Sequence, residues 1–155
     1  MPDPVTLQLT DPDDPALQSC LRAYARFLTR TLPEEGPDPF PLPLPDAADY
    51  RPPRGAVLLA RQADLALGCV CLHGLSPERG EVKRLYVAPK ARGQGLARRL
   101  MRAIEDQARS LGYTSLVLDT NHRLTAAVAL YLSDGWAPCP PYSGPPATRW
   151  FAKSL

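Results

Sequence analysis

The sequence predicts a mixed α/β fold, a β-sheet flanked by helices, and three observations predict it. Short β-leaning segments bounded by turn residues recur at residues 5–10, 56–60, 65–72 and 81–87. Apolar residues at spacings of three and four mark two helical stripes, one through Leu17, Leu21, Tyr24, Leu28 and Leu32, the other through Leu96, Leu100, Ile104, Ala108 and Leu111. Arg61 to Asp64, between two apolar runs, reads as the turn of a hairpin.

Residues 5–10 alternate apolar and polar side chains, as a first, half-buried strand does. Asp13 and Asp14 precede the first helical stripe and Pro33 ends it. From 33 to 53 prolines are so dense that neither helix nor central strand persists, because each removes a donor and restricts its predecessor. A stiffened loop of this length inside a small domain is either a linker or a lid, and the single-domain layout favours a lid. Residues 56–60 and 65–72 form strands two and three, and 81–87 a fourth. The segment 95–111 is a helix with Arg98, Arg99, Arg102 and Arg109 largely off its apolar face and Gly112 as its stop. A short buried strand at 116–118, a helix at 124–132 ended near Gly135, and a last strand at 148–152 complete the order.

The 155 residues suit one domain spanning 1–155, with 45% hydrophobic and 22% charged residues, as in ordinary globular chains. The first ten residues lack a basic and then apolar leader, and no apolar run reaches membrane-spanning length, so the expected location is the cytoplasm without a membrane partner. Charge is uneven. Nine acidic and three basic residues precede Tyr50, whereas seven acidic and fifteen basic residues follow from it, which suits an anionic ligand in the later part. No zinc-finger pattern, RNP-type motif or long basic run supports nucleic acid as a partner. Cys69, Cys71 and His73 share a strand, but same-face neighbours there stand roughly 6.6 Å apart, too far to converge on one metal, so no metal is expected. His73 and His122 have no partner in sequence that argues for nucleophilic chemistry and read as structural or surface residues.

The most informative stretch runs from a strand end at Leu85 through Pro89, Arg92, Gly93, Gln94, Gly95, Leu96 and Ala97 into the second helix. Glycines let such a loop approach a bulky anion, and the free amides of the helix's first turn then point at its oxygens, an arrangement that fits a pyrophosphate. The Lys-Ser/Thr pair of a P-loop is missing, as is the GxGxxG with a following acid of dinucleotide folds.

Glu81 to Val87 (EVKRLYV), Pro89 and RGQGLARRL from Arg92 resemble motif A of the GNAT acetyltransferases, with Lys90 where that pattern has Gln or Arg. Downstream, Leu118 to Asn121 followed by Ala129, Leu130, Tyr131, Gly135 and Trp136 resembles motif B, with Trp136 in place of its Phe. Tyr50, Pro52, Pro53, Gly55, Pro140 to Tyr142 and Trp150 are similar to one bacterial subgroup of largely unassigned substrate. The resemblance covers residues 50–155, while the N-terminal third matches in layout alone. It implies a mixed, mostly antiparallel sheet of six to seven strands with strands four and five splayed.

The resemblance also implies acetyl-CoA as co-substrate. Carried over, the backbone of Arg92, Gly93, Gln94, Gly95, Leu96, Ala97 and Arg98 would bind the diphosphate, Leu85, Tyr86 and Val87 would pair with the pantetheine arm, and Asn121 would bond to it, unless Asn121 merely forms a turn. Arg98, Arg99 and Arg102 would reach the outer phosphate or simply face solvent. Tyr131 would protonate the leaving thiolate, unless it is simply a packed aromatic on the stripe of its helix with Leu124 and Val128. Glu81 would serve as general base, directly or through ordered water, unless it is a solvated strand-edge residue; burial would raise its carboxyl and Lys83 oppose that shift. Tyr142 and the 33–53 loop would recognise the acceptor. The expected activity is direct acetyl transfer to a primary amine of a small molecule such as an amino acid, with a protein lysine or N-terminus, or a non-catalytic acetyl-CoA sensor, as alternatives. A homodimer is compatible with this reading.

Overall fold

The computed structural model describes residues 3–33 and 47–155. Among the described residues seven strands form: β1 (Val5–Leu9), β2 (Ala56–Gln62), β3 (Leu65–Gly74), β4 (Arg79–Val87), β5 (Ser115–Thr120), β6 (Ala137–Pro138) and β7 (Arg149–Ser154). The helices are α1 (Pro15–Thr31), α2 (Leu96–Ser110) and α3 (Thr125–Ser133). One sheet takes the order β1-β2-β3-β4-β5-β7-β6, and every neighbouring pair is antiparallel except β4 with β5.

Alternation explains the layering. Along β2 and β3, Val57, Leu59, Cys69 and Cys71 face α1, which returns Leu17, Cys20 and Leu21. The intervening Leu58, Val70 and Leu72 face α2, which supplies Leu96, Leu100, Met101, Ile104 and Ala108. Both faces are thus dry, and each buried leucine stabilises the fold by about 1.5–3 kcal/mol. Asp14 caps α1 by accepting from the Ala16 amide at 2.8 Å, and Pro15 occupies the first turn where its missing donor costs little. A buried ion pair pins β7 to α2: Lys153 Nζ lies 2.8 Å from Glu105 Oε1, with the glutamate side chain 4% exposed.

Two irregularities of β4 set the shape of its surroundings. Its pairing with β5 covers only Arg79 to Glu81 against Ser115 to Val117, after which the strands diverge as the resemblance implied. On its other edge Lys83 pairs with Cys71 and Tyr86 with Cys69, so that Arg84 and Leu85 together oppose Val70 in a β-bulge. Arg84 carries a φ of 62°, an uncommon conformation for a non-glycine residue.

Three expectations need adjustment. Ala47–Tyr50 forms a 3-10 turn inside the stretch read as free of helix, because that short piece holds no proline. The lid reading of residues 33–53 falls largely on residues 34–46, which lie outside the described residues. The two-residue β6 was not anticipated; Pro138 fits it because β6 is an edge strand whose outer side needs no donor. No described helix is long and apolar enough to cross a membrane.

Candidate active site

The divergence of β4 from β5 opens a cleft of about 900 Å³ between the sheet, the start of α2 and α3. Val82 to Val87 line one wall, Leu118 to Asn121 and Tyr131 the other, and the loop of Arg92, Gly93 and Gly95 forms the mouth. At that mouth Gly93 and Gly95 hold φ values of 76° and 78°, which side-chain-bearing residues rarely adopt. A Cβ on either would meet no atom of the described residues within 4 Å, so the glycines are required for backbone shape and leave space among those residues in front of it.

The amide of Arg92 bonds to Pro89 and that of Arg99 to the Gly95 carbonyl. Among the described residues the six amides between them, from Gly93 to Arg98, have no hydrogen-bond acceptor. They coincide with the positive end of α2, which makes the loop an anion cradle. Arg92 ties the cradle to its surroundings: its Nε donates to the Val87 carbonyl at 3.0 Å, and its guanidinium sits 4.9 Å over the Phe27 ring of α1. Beyond Glu81 the β5-facing edge of β4 pairs with no described strand, leaving the backbone of Leu85 to Val87 available for a strand-like ligand.

Tyr131 stands on α3 with its ring 6.1 Å from Trp136 and 5.8 Å from Phe151. It is 5% exposed and lines the cleft, yet its hydroxyl bonds to none of the described residues. Burial pushes that hydroxyl far above the usual tyrosine range, so it stays protonated and able to donate.

Glu81 is buried in a network that its sequence position did not reveal. His73 Nε2 lies 2.6 Å from its Oε1, the Tyr142 hydroxyl donates to its Oε2 at 2.6 Å, and Lys83 Nζ stands 3.7 Å from Oε2. Burial pushes the Glu81 carboxyl up, but the His73 hydrogen bond, the Lys83 charge and the Tyr142 hydrogen bond together hold it below the ordinary 4.5. The expected upward shift is therefore reversed, because two partners and a cation outweigh desolvation. His73, read from the sequence as a structural or surface residue, has its partner here: β3 and β4 pair it directly opposite Glu81. Lys83 also reaches Asp119 at 3.4 Å, and Asp119 accepts from Ser143 at 2.6 Å, which in turn accepts from Trp150 Nε1 at 2.9 Å. Lys83 and Asp119 line the cleft, and Glu81 sits one step behind them.

Two further sequence candidates have local partners. Asn121 is buried at the end of β5; its Oδ1 accepts from the Arg123 amide at 2.9 Å and its Nδ2 donates to the Pro146 carbonyl at 2.7 Å, so its side chain builds the turn. The Arg98 guanidinium donates to Asp134 at 2.7 Å and to Ser133 at 2.9 Å, and Arg102 joins Asp134 at 3.1 Å. Arg99 donates to the Val5 carbonyl at 3.2 Å. These arginines brace α2 against α3 and β1, leaving the Arg98 amide as its contribution to the mouth. Among the described residues no group of three His, Cys, Asp or Glu side chains is placed to hold a metal.

Residues 18–136 match the family described as acetyltransferase (GNAT) family. The chain belongs to that family. Among relatives of this acetyltransferase, an IAA acetyltransferase from Azospirillum brasilense is 32% identical over 97% of this chain and 98% of its own. An uncharacterized N-acetyltransferase from Schizosaccharomyces pombe is 45% identical over 60% of this chain, and the match spans 58% of that relative's length. A solved structure classed as an acyl-CoA N-acyltransferase from Klebsiella pneumoniae superposes with a TM-score of 0.79 at 27% identity, covering 97% of both chains. The PaiA N-acetyltransferase of Thermoplasma acidophilum, solved in complex with coenzyme A, shares the fold at a TM-score of 0.76 and 13% identity, over 98% of this chain and 99% of that one. The acetyltransferase places the motif A backbone, Tyr131 and the Lys83–Asp119 pair around one cleft. His73 and Ser143 joined it only through tertiary contacts, and Tyr142, expected to recognise the acceptor, bonds to Glu81; the register of the β3–β4 hairpin was the one sequence signal that could have paired His73 with Glu81.

Proposed function

We propose that this acetyltransferase moves the acetyl group of acetyl-CoA directly to a primary amine of a small molecule. The observation that carries the reading is the run of six acceptor-free amides from Gly93 to Arg98 at the head of α2, which matches the oxygens of a diphosphate and leaves open space for them. The free edge of β4 at Leu85 to Val87 offers backbone groups to the pantetheine amides, and this directs the thioester toward Tyr131 on the opposite wall.

The chemistry needs a neutral amine, whose nitrogen lone pair forms the new N–C bond as the C–S bond breaks. Ionised Glu81 receives the ammonium proton. Because Lys83 and Asp119 stand between it and the cleft, the proton travels through water, and His73 and Tyr142 hold the carboxylate in place. Tyr131, kept protonated by burial, supplies a proton to the departing thiolate and is restored by the proton that the attacking nitrogen loses on becoming an amide. Tyr24 and Phe27 of α1 and the Ser143 to Pro146 segment wall the cleft, which supports a small acceptor over a peptide.

Thiol release from acetyl-CoA, followed across amino acids, polyamines, aminoglycosides and lysine-bearing peptides, tests the proposal. Release that depends on a small amine supports it. Release with peptides alone would move the activity to protein acetylation, and coenzyme binding without release to any amine would leave a sensor.

A further inference from the structure

The bulge in β4 also redirects its side chains. Regular alternation would send Lys83 and Arg84 to opposite faces, but the extra residue and the positive φ of Arg84 break the alternation. Lys83 lies with Glu81, and the charge of Arg84 is felt by Tyr24, Tyr50, Cys69 and Cys71, all on the α1 side of the sheet. Two adjacent cations are thereby brought to one side of the cleft, immediately before the segment assigned to the pantetheine arm.

Their circumstances differ. Lys83 is compensated by Glu81 and Asp119. Of the other cationic side chains lining the cleft, Arg92 bonds to Val87, Arg98 is paired with Asp134, and Arg123 also has a partner. Arg84 lines the cleft too, yet its guanidinium makes no hydrogen bond or ion pair with any described residue. Its Nε is fully buried and without an acceptor. A buried, unpaired donor on a charged group is costly, and backbone strain such as that held by the bulge at Arg84 clusters at functional sites.

We propose that Arg84 binds a carboxylate of the acceptor, so that the substrate class is amino carboxylates, with the amine directed toward the Glu81 and Asp119 side of Lys83. The inference rests on the acetyl-transfer reading above. One uncompensated guanidinium fits one monoanion, and its planar fork matches the two oxygens of a carboxylate. A phosphate dianion would leave charge unbalanced, since Lys83 is already neutralised by its own acids.

The test compares L-amino acids with their carboxamides, and phosphoethanolamine and taurine as amines bearing other anions, using the full chain and acetyl-CoA. Wild type is expected to favour carboxylates, and the carboxylate-to-carboxamide ratio of kcat/KM to fall about 10- to 100-fold in Arg84→Ala. Arg84→Asn, which is neutral and tolerates a positive φ, guards against a folding artefact and is expected to behave alike. A ratio near one in wild type, a ratio unchanged in both variants, or a preference for the phosphate or sulfonate amine would overturn the proposal while leaving acetyl transfer intact. If no amine is acetylated, the activity reading falls. Calorimetric binding of the same amino acids to the coenzyme A-saturated protein then decides this inference alone: binding lost in both variants sustains it, and no binding ends it.

Discussion

Replacing Tyr131 by Phe removes one oxygen and leaves the ring packed between Trp136 and Phe151. The hydroxyl bonds to no described residue, so its loss strands no buried partner, and stability is expected to change by less than about 0.5 kcal/mol. Its chemical role is another matter. A positioned general acid contributes roughly 10²- to 10⁴-fold, so kcat is expected to fall by about 100-fold or more while the KM for acetyl-CoA stays near its original value. Steady-state thiol release with the preferred amine, beside a thermal melt, reads both quantities. An unchanged kcat would remove Tyr131 from the chemistry, and a parallel loss of melting temperature and coenzyme binding would show that its hydroxyl serves the fold.

Gly95→Ala forces a side chain into a φ of 78° and is expected to cost about 1–2 kcal/mol, lowering Tm by roughly 2–8 °C and raising the KM for acetyl-CoA; a melt and saturation curve check it. Lys153→Met leaves Glu105 charged and buried, and is expected to destabilise by about 3–5 kcal/mol in denaturant unfolding, whereas the double change with Glu105→Leu recovers much of that. Glu81 has a folded value below its unfolded 4.5, so it contributes stability that is present above 4.5 and lost as pH falls through the lower folded value; Glu81→Gln is expected to flatten that limb in acid-unfolding curves. The same variant is expected to slow turnover at neutral pH.

What the sequence disclosed came from its periodic and conformational signals. α2 was legible because its apolar stripe repeats over fifteen residues, and the mouth was legible because Gly93 and Gly95 mark a turn just before it. The splay of β4 from β5 came from the resemblance, since it leaves no mark in local pattern; the stripe of the last helix marked Tyr131 as a packed residue, and its expected role came from the resemblance. The Glu81–His73 pair was missed because it depends on hairpin register, which local pattern does not fix beyond Leu72. The bulge at Arg84 was illegible for a related reason: a non-glycine residue at positive φ is imposed by the partner strand and betrays nothing in its own identity. Asn121 and Arg98 show the converse, as residues in motif positions whose side chains are held by Pro146 and Asp134.

The proposed chemistry depends throughout on the exposed amides at the head of α2. Titrating ¹⁵N-labelled protein with acetyl-CoA and, separately, with acetyl-pantetheine tests them residue by residue. The amide resonances of Gly93 to Arg98 are expected to move most with acetyl-CoA, and those of Leu85 to Val87 alone to respond to the fragment that lacks the diphosphate. Shifts concentrated elsewhere, with the Gly93 to Arg98 amides unmoved at saturation, would contradict the diphosphate cradle.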